Sequence, residues 1–170
     1  MKLMRTLIAV IALLLLSGCY EELDWREWHA DDGSFVLLLP AKPKELSHEV
    51  SIGNTRLTLH MLSTHTDGLA FGIAYADLPA DASSMLLENA RDALLRNIDG
   101  KLQIETPIQV GEMQGLEFQA EGRSDAGPTL MAARVLRSKQ RFYQIVFIGR
   151  ADRAAEVDIP FFLTSFQSQR

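Results

Sequence analysis

Leu46-Ser47-His48-Glu49-Val50-Ser51-Ile52-Gly53-Asn54-Thr55-Arg56-Leu57-Thr58-Leu59-His60-Met61-Leu62-Ser63 is a β-hairpin spelled out in residue types. Gly-Asn is a two-residue turn pair with the tolerance for positive φ that tight hairpins need. Pairing across it sets Val50 opposite Leu57, His48 opposite Leu59 and Leu46 opposite Met61. Ser47, Glu49, Ser51, Arg56, Thr58 and His60 then share the other face. A slip of one residue would invert that sorting, so the register is specified by the pattern itself. His48 falls on the apolar face and reads as a core-edge histidine.

Working upstream, Asp31-Asp32-Gly33 is a turn, and Ser34 to Leu39 is an apolar strand closed by Pro40 and Pro43. Downstream, Leu69, Phe71, Ile73 and Tyr75 alternate with small residues as a strand. From Ala82 to Ile98 the period becomes helical: Met85, Leu86, Ala90, Ala93, Leu94 and Ile98 form one stripe. Asp81 is placed to cap this helix and Gly100 to stop it. After Lys101 the period returns to two, with Leu116, Phe118 and Ala120 inward and Glu117, Gln119 and Glu121 outward. If Phe118 packs beside Ala133, Arg134 lies opposite Glu117 as a cross-strand ion pair. Residues 130–137 and 141–149 are strands apolar on both faces, which require cover on both sides. Val157, Ile159, Phe162 and Phe166 fall at helical spacing and supply the second layer. The expected class is α+β: an antiparallel sheet flanked by helices on both faces, an α/β/α sandwich.

The start of the chain reads as an address. Lys2 and Arg5 precede an unbroken apolar run, Leu7 to Leu16. As a helix that run would rise roughly 15 Å, about half of a ~30 Å hydrocarbon core, so it reads as a signal segment. Leu16-Ser17-Gly18-Cys19 resembles the lipobox of bacterial lipoproteins. The resemblance implies a diacylglyceryl thioether on Cys19, cleavage before it, and acylation, as with palmitate, of the new amino terminus. Cys19 is the single cysteine, which removes any internal disulfide framework and any other thiol nucleophile. The expected organisation is a signal peptide over residues 1–18, a lipidated Cys19 with a short acidic tether over 19–27, and one domain over 28–170. Trp28 is expected in the core; Trp25 fits either the core or a membrane interface. Tyr20 follows the lipidated position where an inner-membrane protein of a two-membrane cell would carry Asp, so the expected location is the periplasmic face of the outer membrane.

Asp32-Gly33-Ser34-Phe35-Val36-Leu37-Leu38-Leu39-Pro40-Ala41-Lys42-Pro43 and the ending Pro160-Phe161-Phe162-Leu163-Thr164-Ser165-Phe166 are similar to the opening and closing segments of PsbP-like domains. That group includes the extrinsic PsbP protein of photosystem II, the Mog-type Ran-binding protein and the bacterial lipoprotein DcrB. The resemblance implies an α+β domain that works as a binding or assembly factor, with no catalytic residues.

The chemistry that the chain offers is sparse. A net charge of −5 and a pI near 5.3 argue against nucleic acid, which demands a clustered basic excess. There is no G-x-S-x-G, H-E-x-x-H, P-loop or G-x-G-x-x-G pattern. His60, His65 and Asp67 could approach one another as a metal site if the strand ended near Ser63; otherwise they are solvated. Arg137, Lys139 and Arg141 surround one turn and should form a basic tip, suited to an acidic partner or a headgroup, or serving only solubility. The expectation is a non-enzymatic envelope lipoprotein without a cofactor, held in the membrane by its lipid and engaging another envelope protein. A metal- or small-ligand-binding lipoprotein built on His60, His65 and Asp67 is the alternative.

Overall fold

The hairpin forms in the expected register, with Val50 paired to Leu57, His48 to Leu59 and Leu46 to Met61. Gly53 sits at φ 59 in its turn, and a Cβ there would also strike the Asn89 side chain. This computed structural model describes residues 23–125 and 127–169; the expected signal segment and Cys19 lie outside them. In chain order the strands of the first half are β1 (Arg26–His29), β2 (Phe35–Leu39), β3 (Lys44–Ile52), β4 (Thr55–Thr66) and β5 (Leu69–Asp77). Helix α1 (Leu86–Asn97) follows, then β6 (Lys101–Val110), β7 (Met113–Ser124), β8 (Gly127–Arg137) and β9 (Arg141–Arg150). The chain closes with α2 (Ala151–Ala154), α3 (Ile159–Thr164) and β10 (Gln167–Ser168).

Seven strands form one antiparallel sheet in the order β3-β4-β5-β9-β8-β7-β6. Its central strands are apolar on both faces, and a separate core lies on each side. On one face Leu86, Ala90, Leu94 and Ile98, from α1 and its C-cap, pack against Leu57, Leu59, Phe118, Met131, Val135 and Phe142. On the other, Phe35, Leu37 and Leu39 of β2 meet Phe71, Ile73, Tyr143, Ile145 and Phe147, with Phe162, Leu163 and Phe166 beside them. The architecture is thus mostly antiparallel sheet with few helices.

The second face departs from the expected sandwich. Its cover is a three-stranded sheet, β1-β2-β10, with the short helices α2 and α3, rather than one C-terminal helix. Pro160 stands in the first turn of α3, where a missing N–H costs nothing, and Asp158 accepts from the Phe161 N–H at 3.0 Å. Phe166 lies beyond that helix, so its apolar spacing reflected packing rather than helical continuity.

Residues 23–27, expected in the tether, are folded into the domain. Arg26 to His29 pair with Val36 to Leu39. Trp25 packs edge-to-face against Phe71 and Phe161 and stacks on Phe162, at centroid distances of 5.3, 5.5 and 6.1 Å. The domain therefore begins at least as early as Leu23, which also packs on this core with Trp28.

Helix α1 starts at Leu86, four residues later than expected. The Ser83 N–H donates to Thr55 Oγ1 at 3.0 Å, and Ser83 Oγ accepts from the Met85 N–H at 3.1 Å. Those bonds hold the preceding turn out of the helix. Asp81 is no cap; Met85 occupies that position with no side-chain bond and is exposed. At the other end Asp99, at φ 46, is the left-handed residue, while the Gly100 N–H closes on Leu95 O at 2.8 Å.

Candidate functional site

His60 and His65 lie on one continuous strand, because β4 runs through Thr66 instead of ending near Ser63. Five positions apart, their side chains leave opposite faces of the sheet. His60 is on the small-sheet face, where its ring stacks on Tyr75 at 5.3 Å and its Nδ1 lies 2.8 Å from Ser47 Oγ. His65 is on the helix face. Asp67 occupies the following turn at φ 45 and pairs with Arg153. The three expected metal ligands are not brought together, and among the described residues no other group of three or more His, Cys, Asp or Glu is arranged to hold an ion. A half-open groove of about 380 Å³ adjoins His65, Asp67, Ser124, Thr129, Ile148 and Arg150. Its charged groups are engaged with neighbours: Asp67 with Arg153, and Arg150 with Asp152.

The basic tip is largely dismantled by internal pairing. Arg137 donates to the Ser83 carbonyl at 2.7 Å, tying β8 to the segment before α1. Arg141 bridges Asp32, in the turn before β2, and Asp77, at the end of β5. Lys139 alone of the three is exposed at the turn. The sequence placed all three cations around one loop correctly, but it carried no sign that Asp32 would fold back over β9.

Around that bridge the structure assembles a cluster that sequence reasoning had left in pieces. Ser47, His60, Tyr75 and Tyr143 form a row across β3, β4, β5 and β9. Phe35 of β2 packs edge-on against both tyrosines, at 5.2 and 5.9 Å. Burial, with the nearby carboxylates of Asp32 and Asp31, pushes the Tyr75 hydroxyl up, so it stays protonated at neutral pH. Burial also pushes Asp32 up, but hydrogen bonds from Ser34 and the Arg141 guanidinium outweigh it and hold that carboxyl below its usual range. Ser47 and His60, both exposed, bind each other and His60 stacks on Tyr75, so the row runs from solvent at β3 into the core at Tyr143.

The expected Glu117–Arg134 pair is present. The two residues are register partners, and Arg134 Nε donates to Glu117 Oε2 at 2.6 Å while Nη1 donates to the Leu163 carbonyl at 3.2 Å. His48, expected at the core edge, is exposed, and so is Leu46, at 61%. Both stand on β3, an edge strand of the sheet. The opposite edge, β6, carries Pro107 and a register shift between Leu102 and Ile104. That shift turns Ile104 outward, to 57% exposure. No described helix is long and apolar enough to cross a membrane.

This arrangement of a seven-stranded antiparallel sheet between a helix and a small sheet is a PsbP-like fold. The solution structure of cyanobacterial PsbP (CyanoP) from Synechocystis sp. PCC 6803 superposes with a TM-score of 0.57 at 12% sequence identity. The match covers 91% of this chain and 99% of that one. No family model matches the chain, and no curated protein matches it.

Proposed function

We propose that this protein is a lipid-anchored lipoprotein of the cell envelope that binds or helps assemble another envelope component, without a reaction of its own. The observation that carries this reading is how the charged side chains are used. Arg91 engages Glu105, Arg134 engages Glu117, Arg141 engages Asp32 and Asp77, and Arg153 engages Asp67 and Glu156. Groups committed to holding elements together are not poised for acid–base or nucleophilic work, which needs them aimed at one substrate position. What the surface offers instead is exposed apolar side chains, Ile104 at the β6 edge and Phe161 on α3. The lipobox over Leu16–Cys19 supports anchoring, and Tyr20 supports the periplasmic face of the outer membrane. Two or three acyl chains, at about 0.8 kcal/mol per buried CH₂, would hold the domain firmly. We read α2 and α3 as the reduced second helical layer of an α/β/α sandwich.

The test uses the full chain expressed with its own first residues. Radiolabelled palmitate should enter the protein, which should sediment with outer membranes, and Cys19→Ala should lose both label and membrane. Crosslinking in those membranes should yield a discrete heteromeric product. A Cys19→Ala protein that remains membrane-bound, or turnover of a substrate by the purified chain, would overturn the proposal.

A further inference from the structure

The exposed edge of β3 has a sequence that complements itself. Its two-residue turn makes Ile52 and Thr55 a hydrogen-bonded pair, and alternation then assigns Val50, His48 and Leu46 to bonded pairs with β4. The backbone N–H and C=O groups of Glu45, Ser47, Glu49 and Ser51 consequently point outward, away from the sheet. The strand keeps one unbroken register from Lys44 to Ile52, with no proline or bulge. Unpaired edges of that kind template further strand pairing, and proteins normally blunt them as β6 is blunted here.

About His48 the polarity of residues 45–51 reads the same in both directions, Glu45, Leu46, Ser47, His48, Glu49, Val50, Ser51; only the outermost pair of the strand, Lys44 with Ile52, departs from it. An isologous contact requires that property, because each residue meets its mirror position in the partner. We infer that two copies of this chain pair antiparallel along β3, with a two-fold axis at His48, making one continuous sheet. In this register the outward-pointing groups of Ser47 and Glu49 exchange hydrogen bonds, as do those of Glu45 and Ser51. Exposed Leu46 meets half-buried Val50 of the other copy on the helix face, twice over. No carboxylate stands directly opposite another, and the Glu45 and Glu49 side chains approach those of the other copy only diagonally. Moving the axis to Ser47 would set Glu45 against Glu49, a like-charge pair that opposes association. His48 meets its counterpart in a non-hydrogen-bonded pair, where Cα atoms of antiparallel strands come within about 4.5 Å. This pairing does not depend on whether the protein also binds another envelope component.

The test is crosslinking and oligomeric state of the full chain in detergent. With Cys19 replaced by Ser, His48→Cys should form a disulfide-linked dimer under mild oxidation, and Ser47→Cys should do so weakly. Light scattering should find a dimer that Glu49→Pro weakens by on the order of ten- to hundredfold, since two interchain bonds are lost while the bonds of β3 to β4 are kept. Leu46→Glu, which leaves the backbone untouched, should weaken it too. A monomeric wild-type chain, stronger crosslinking at Ser47→Cys than at His48→Cys, or a dimer indifferent to both Glu49→Pro and Leu46→Glu overturns the inference.

Discussion

Asp32 and Arg141 show how much one pair of side chains can organise. Asp32 caps its own turn by accepting from the Ser34 N–H at 3.0 Å, and it holds an arginine that also reaches Asp77. Arg141→Ala should cost about 1–3 kcal/mol, because the guanidinium is mostly buried and links the small sheet to the large one. Asp32→Asn should cost only about 1 kcal/mol, since a third of that side chain is in water and screened. Its pH dependence has a definite sign. The folded carboxyl is held below its unfolded range, so its contribution is present at neutral pH and fades as pH falls below about 4. Urea midpoints for wild type and Asp32→Asn should therefore differ at pH 7 and converge toward pH 3. For Glu117 and Arg134, a double-mutant cycle should return a coupling of about 0.5–2 kcal/mol, reflecting an arginine only 16% exposed.

At the scale of elements, α1 is positioned by its ends as much as by its stripe. Its C-terminal carbonyl at Ile98 accepts from the Arg123 N–H at 2.7 Å, joining helix to β7. Gly122 permits that approach: a Cβ there would lie 2.2 Å from Ile98 O. Gly122→Ala should destabilise the fold by about 1–3 kcal/mol, through displacement of the helix end. Leu86→Ala, in the first turn, should cost about 2–5 kcal/mol by leaving a cavity under a fully buried side chain. Chemical denaturation reads both. The hairpin, the two doubly apolar strands and the helix stripe were legible from residue type, because burial of one face imposes a period of two or of about 3.6. The helix start, the extent of β4 and the bulge in β6 were not, since each is set by partners distant in sequence, such as Thr55 for Ser83.

For the whole molecule, the question is where the domain begins. With Trp25 seated among three phenylalanines, Trp25→Ala should lower stability by about 2–4 kcal/mol, and deleting residues 23–29 should cost more by also stripping β1 from β2. A mere tether would tolerate both changes with an unaltered urea midpoint. The candidate site shows the same division. His60 and Arg141 were each legible as interesting residues. His60 meets Tyr75 through the β4–β5 register, whereas the pairing of Arg141 with Asp32 depended on β2 crossing the sheet, which no local pattern encodes.

By itself the sequence determined the hairpin register, the alternation of the outer strands and the double apolarity of the two central ones, the helical stripe and the Glu117–Arg134 pairing, because these follow from short-range periodicity and direct cross-strand opposition. Tertiary structure alone decided that β2 leaves the main sheet to cover its second face, that two of three tip cations turn inward, and that His60 and His65 part company. Those outcomes rest on which buried surfaces and opposite charges meet across long stretches of chain, and that competition is settled only when the layers close.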